Sequence, residues 1–250
     1  MARRPRLFLP DIPFHVIQRG NNRSRCFLRD WDYRLYRQWL GEYAAHFRCA
    51  IHAYVLMPNH VHLLITPDDP QGPSQFMQSL GRRYVSYLNR THARTGTLWE
   101  GRFRASPVET EEYLFQLYRY IELNPVRAGI VQHPSQYAWS SFMHNSAGLH
   151  DEVVSAHPLY GALAANERDR QAAYRGLFGD GISEATLELI RRAAVAGLPV
   201  GNPDFQHRIE KAFGIRLTSP PGRQRPPPIG PTEGQLLPGD CYVSDPKLRI

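Results

Sequence analysis

Two apolar runs, CAIHAYVLM at residues 49–57 and HVHLLIT at residues 60–66, are separated by Pro58 and Asn59 alone. Short runs rich in Val, Ile and Leu and bounded by turn residues read as strands. A two-residue connection cannot carry a crossover, which needs a dozen residues or more, so the two strands must be antiparallel neighbours. That hairpin makes an antiparallel sheet the centre of the fold.

The other elements arrange themselves around it. FHVIQRG at residues 14–20 alternates and ends in a glycine turn, which suits a strand. DWDYRLYRQWLGEYAAHF repeats Tyr33, Tyr36, Leu40 and Tyr43 at three- and four-residue steps behind an acidic first turn, the pattern of an amphipathic helix. A second helix is expected over residues 74–91, and LWEGRFRASPVE is expected as a fourth strand. Thr110 is placed to cap a further helix, EEYLFQLYRYIELN, which Pro125 should end at Asn124. The order β-α-β-β-α-β-α predicts an α+β fold, a ferredoxin-like antiparallel sheet with helices on one face.

Beyond it the chain loosens. Residues 1–145 are expected to form one domain, residues 146–217 a helical extension, and the proline-rich residues 218–250 a disordered tail. No apolar run approaches the ~18 residues of a membrane span. The basic start is too interrupted by Pro10, Asp11 and Pro13 for a secretory signal, so a cytoplasmic protein with no membrane partner is expected. Cys26, Cys49 and Cys241 are widely spaced and form no CxxC pair, which speaks against a disulfide framework or thiolate metal site.

The charge is uneven. Residues 1–145 hold 18 basic side chains against 11 acidic ones, whereas the remainder balances at 12 of each. Every cation except Lys211 and Lys247 is arginine. A basic, arginine-rich domain suits a polyanion, although a GC-rich genome would leave the same bias.

Residues two apart on a strand share a face, so His60 and His62 project together while Val61 and Leu63 point the other way. At about 7 Å between Cβ atoms, two imidazoles can converge on one ion. They can equally be half-buried strand histidines bonded to backbone or water, and two ligands do not complete a site. On the helix YLFQLYRYIELN, Tyr120 and Asn124 fall about 40° apart and one turn from each other, at the edge of the buried face. Tyr118 points elsewhere, alongside Glu122. Packed against the histidine strand, Asn124 could offer an amide oxygen as third ligand and Tyr120 a phenol beside the ion. Mixed nitrogen and oxygen ligation with open positions suits Mg²⁺ or Mn²⁺.

Four ordered segments, FHV…RGN, MPNHVHLL, GRRYVSYLNRTHARTGTLWEGRF and YLFQLYRYIELNPVRAGIV, together resemble the single-tyrosine (HUH-type) transposases, and among them the REP-associated tyrosine transposases of bacterial chromosomes. The resemblance covers roughly residues 5–142. It implies that His60 and His62 bind the metal, that Tyr120 is the nucleophile, and that Asn124, which is Gln in some relatives, is the third ligand. It further implies cleavage and transfer of single-stranded DNA through a 5′-phosphotyrosine at hairpin-forming repeats.

Arg82, Arg83, Arg102 and Arg104 are candidate phosphate contacts, and Trp99 a candidate platform for an unpaired base. Arg119 and Arg127 flank the site helix, and Arg3, Arg4 and Arg6 could form a phosphate-contacting arm. A monomer or a homodimer fits equally well. The main alternative is a domesticated relative that binds DNA hairpins without cutting. A replication initiator or relaxase with the same metal site fits less well, given a single candidate nucleophile before NPVRAG.

Overall fold

The computed structural model describes residues 7–110 and 112–214, all within one compact unit. The basic start with Arg3, Arg4 and Arg6, Cys241 and the tail at residues 218–250 lie outside the described residues. In chain order the elements are β1 (Phe14–Arg19), α1 (Asp30–His46), β2 (Cys49–Met57), β3 (His60–Pro67), α2 (Gly72–Thr91), β4 (Arg104–Pro107) and α3 (Leu114–Glu122). There follow α4 (Asn124–Arg127), α5 (Phe142–Ala147), α6 (Pro158–Gly161), α7 (Glu167–Gly176), α8 (Glu184–Ala196) and α9 (Pro203–Phe213).

The class is α+β, with one antiparallel sheet of order β2-β3-β1-β4. Pro58 and Asn59 join β2 to β3 as the short connection demands, and Met57 pairs with His60 across it. Strand β3 lies between β1 and β2, so His62 faces Ile17 on one side and Val55 on the other.

The expectation of helices on one face holds for α1 and α2 alone. Their side chains form a core with Val16, Tyr54, Leu56, Val61 and Leu63, including the packed rings of Phe27, Tyr36 and Tyr84. The opposite face carries Ala53, Val55, Met57 and Leu64, and it is covered by α3, α7 and α8. The physical reason is visible in β2 and β3. They are buried on nearly every residue rather than on alternate ones, and a strand apolar on both faces must be covered on both.

Two local readings are corrected. The fourth strand is only Arg104–Pro107, preceded by an isolated bridge between Gly20 and Trp99. Between them Gly101 adopts φ 133°, a region that favours glycine and breaks the extended run. The later helix starts at Leu114 with Tyr113 rather than Thr110 at its N-cap, and no side chain caps it. It ends at Glu122, two residues before the expected Asn124. Leu123 stays near helical geometry (φ −84°, ψ −1°) and α4 carries the turn onward, with Pro125 inside its first turn where a missing N–H costs little.

Residues beyond 145 share these cores. Tyr160, Tyr174, Leu187 and Ile190 pack with Leu117, Tyr118 and Ile121 of α3. Edge strand β4 is covered as well: Ser106 Oγ donates to the Ala193 carbonyl at 2.9 Å, and Val200 bridges Val108 in parallel. Glu122 ties the layers together, accepting from Ser141 Oγ at 2.6 Å, Tyr174 Oη at 2.7 Å and Asn145 Nδ2 at 3.0 Å.

Burial pushes the Glu122 carboxyl up to about 7, against the opposing pull of those three donors. The folded chain therefore holds this proton more tightly than the unfolded one. Its stabilising effect is complete below about pH 4.5 and is lost as pH rises to about 7, a swing on the order of 3 kcal/mol. In urea titrations at pH 4.5 to 8, Glu122→Gln should remove that decline, so the gap between the two chains moves in favour of the variant as pH rises. A pH-independent gap would contradict it.

Candidate active site

Strand β3 and helix α3 meet at an open cleft of about 580 Å³ lined by His60, His62, Tyr120 and Asn124. The histidines project from the face opposite Val61 and Leu63, with ring centroids 4.8 Å apart. The Tyr120 ring lies 5.7 Å from that of His62, edge to face, and is 8% exposed. Arg127 contacts the same ring. Its guanidinium sits 4.3 Å from the ring centroid and donates to the Tyr120 carbonyl at 2.9 Å. Tyr118 is fully buried against Tyr174 and Phe115, its hydroxyl pKa raised well above the ordinary value first by burial and then by the Glu122 charge. Only Tyr120 of these two reaches the cleft.

The donor atoms suit a divalent ion. His60 Nδ1 bonds Asn59 Oδ1 at 2.6 Å, and since an amide oxygen only accepts, the lone pair of the neutral ring falls on Nε2. Burial, and next the Arg19 charge, lower the His60 pKa to about 4, while a hydrogen bond with Asn124 acts the other way. Burial and the neighbouring His60 push His62 well below its ordinary value. Both shifts favour the neutral imidazole, the form that ligates a metal. Asn124 Nδ2 leans on the Tyr120 carbonyl at 3.4 Å, leaving Oδ1 as the available acceptor. Among the described residues no group of three His, Cys, Asp or Glu side chains is gathered for a metal. The Asn124 amide lines the same cleft beside the two histidines.

The remaining candidates divide. Arg102 and Arg104 both line the cleft, and Arg104 also donates to the Val195 carbonyl at 3.3 Å. Arg82 and Arg83 lie on α2, in the layer across the sheet. Arg83 is engaged there, 2.7 Å from Glu42 and stacked 4.4 Å from the Trp39 ring. Trp99 is a correction: it is 7% exposed and enclosed by Tyr36 and Tyr84, so no ring face is open to a base. Arg119 is buried and donates to the Asp180 carbonyl.

Sequence reasoning missed Arg19, Glu100 and Arg191, all of which line the cleft, and His15 behind it. Arg19 pairs with His60 and shares a face with Ile17 and His15. The alternation of β1 contained that signal, but only the β1–β3 register shows which face meets the histidines. Arg191 had no local signal, since it arrives on α8 from distant sequence.

The family profile for IS200-like transposases matches residues 9–124. Over that segment the chain is similar to the IS200-like transposases. The matched segment contains all four residues named at the cleft and stops at Asn124, so the rest of α4 and all of α5 to α9 lie beyond it. No curated protein sequence matches this chain. Among solved structures, a REP-associated tyrosine transposase bound to a REP hairpin is similar at 20% identity, over 63% of this chain and 93% of its own, with a TM-score of 0.48. A transposase candidate from Deinococcus radiodurans is 22% identical over 48% of this chain and 96% of its own, with a TM-score of 0.34. The tRNA(His) guanylyltransferase of Saccharomyces cerevisiae is 9% identical over 77% of this chain and 82% of its own, with a TM-score of 0.38. Among the described residues no helix is long and apolar enough to cross a membrane.

Proposed function

We propose that this chain cleaves and rejoins single-stranded DNA at hairpin-forming repeats through a 5′-phosphotyrosine, with Mg²⁺ or Mn²⁺ as cofactor. The observation that carries the reading is the convergence of Tyr120, His60, His62 and Asn124, from a strand and a distant helix, on one cleft. The sequence resemblance to REP-associated tyrosine transposases supports the choice of hairpin repeats.

In this reading the Tyr120 phenol oxygen attacks a backbone phosphorus. A bond from phenol oxygen to phosphorus forms, the bond from phosphorus to the 3′ oxygen breaks, the phenol proton leaves and the 3′ oxygen gains one. The phosphodiester is exchanged rather than hydrolysed, so an incoming 3′-hydroxyl can reverse the step without ATP. His60, His62 and Asn124 would hold the divalent ion, which supplies charge neutralisation at the phosphate when bound. Arg127 keeps the Tyr120 ring in place, and Arg19, Arg102 and Arg104 give the cleft the charge to draw in a backbone.

Incubating the chain with labelled hairpin-bearing single strands and Mn²⁺ tests the reading. The expected product is a denaturation-resistant protein–DNA adduct with release of a 3′-hydroxyl fragment. Tight hairpin binding without any adduct, on every repeat flanking the gene, would favour the non-cleaving hairpin binder instead. Arg102→Gln and Arg104→Gln should each weaken single-strand binding and reduce the slope of log affinity against log salt by about 0.7 to 1. An unchanged slope in both would remove them from the interface.

A further inference from the structure

His62 Nδ1 lies 2.8 Å from Nε2 of His15, and the two ring planes are only 18° apart. His15 is 1% exposed, and its Nδ1 has no hydrogen-bond partner. The contact follows from the sheet. Ile17 of β1 stands opposite His62, and His15, two residues earlier, projects from the same face diagonally across from it. His60 has a comparable partner, but a local one, in Asn59.

We propose that His15 is a positioning residue for His62, accepting the Nδ1–H of that ring and thereby leaving its Nε2 lone pair for a divalent ion in the cleft. The inference rests on the metal-dependent reading above. A bond between two imidazoles can run in either direction, and the two directions have opposite consequences. If His15 donated, the proton of a neutral His62 would sit on Nε2, which could then not ligate. The unpartnered His15 Nδ1 does not separate the cases, because it is buried without a partner in both. Ligation does separate them: a metal-binding imidazole donates its other N–H to a fixed acceptor, which sets both tautomer and ring orientation. His15 Nε2 is the acceptor within reach of His62 Nδ1. The ring edges also meet Tyr120, with both histidine centroids 5.7 Å from it, so the orientation of His62 is coupled to the packing of the phenol.

Mn²⁺ affinity of the full chain, followed by the electron paramagnetic resonance of the free ion, tests this without reference to cleavage. His15→Phe keeps a flat ring but removes the acceptor, and affinity should fall about 10- to 100-fold. His15→Gln carries an amide oxygen to roughly the position of Nε2 and should stay within about threefold of the unsubstituted chain. Phe binding as well as the unsubstituted chain, or Gln losing as much as Phe, would overturn the proposal. A measurement on the unsubstituted chain covers the case in which His15→Phe does not fold. In long-range proton–nitrogen spectra of the zinc-loaded protein, His62 should carry its proton on Nδ1, and a proton-free Nδ1 would overturn the assignment. Absence of any Mn²⁺ binding by the unsubstituted chain is a different failure, since it removes the metal reading itself.

Discussion

A Tyr120→Phe chain is expected to fold and bind hairpin DNA as the unsubstituted chain does, and to form no covalent adduct. The ring would remain packed between His15, His62 and Arg127, because those contacts are made by its faces and edges. Only the hydroxyl is lost from a ring that is 8% exposed and keeps its packing contacts, so stability should shift by about 1 kcal/mol or less. The rate of adduct formation, by contrast, should drop on the order of 10⁶-fold, the scale seen when a covalent nucleophile is removed. Tyr118→Phe is the control. Its hydroxyl is buried with no hydrogen-bond partner, so removing it relieves an unsatisfied group and should leave both stability and adduct formation intact. Adduct that survives Tyr120→Phe and vanishes in Tyr118→Phe would reassign the nucleophile and with it the whole reading.

The second large effect concerns the histidine strand. His60→Ala and His62→Ala should each weaken Mn²⁺ binding by more than the roughly 100-fold that marks the upper end of outer-shell changes, and cleavage should fall with it. The two should differ in stability. His60 is half-buried at the mouth of the cleft, whereas His62 is 4% exposed and bonded to His15. His62→Ala leaves the His15 Nε2 unpaired beside a new void, at a cost of about 1–3 kcal/mol, while His60→Ala should cost less than about 1 kcal/mol. Calorimetric titration with Mn²⁺ and thermal unfolding of both variants separate the two quantities. Unchanged Mn²⁺ affinity in both would remove these residues from any metal site.

How much of this was legible beforehand follows from the range over which each signal acts. The β2–β3 hairpin and the shared face of His60 and His62 are set by a two-residue connection and a period of two. The pairing of Tyr120 with Asn124 is set by helical pitch. All three can be read from neighbours in the chain. Trp99 misled because a tryptophan between basic residues has the composition of a stacking platform; its enclosure by Tyr36 and Tyr84 depends on α1 and α2 closing over it. The engagement of Arg83 by Glu42 was likewise not legible, because the two lie 41 residues apart.

The amino-acid sequence alone determined the α+β class, the order of strands and helices, and which side chains within each element point together, because those properties depend on backbone period and on turns of a few residues. The tertiary structure decided which face of the sheet received α3, which brought Tyr120 and Asn124 to the histidines and placed His15 behind them. It also decided that α8 walls the cleft and that Glu122 joins α3 to α5 and α7. Those outcomes rest on strand register and on burial of both sheet faces, and both bring together residues whose separation in the chain carries no local trace of their contact.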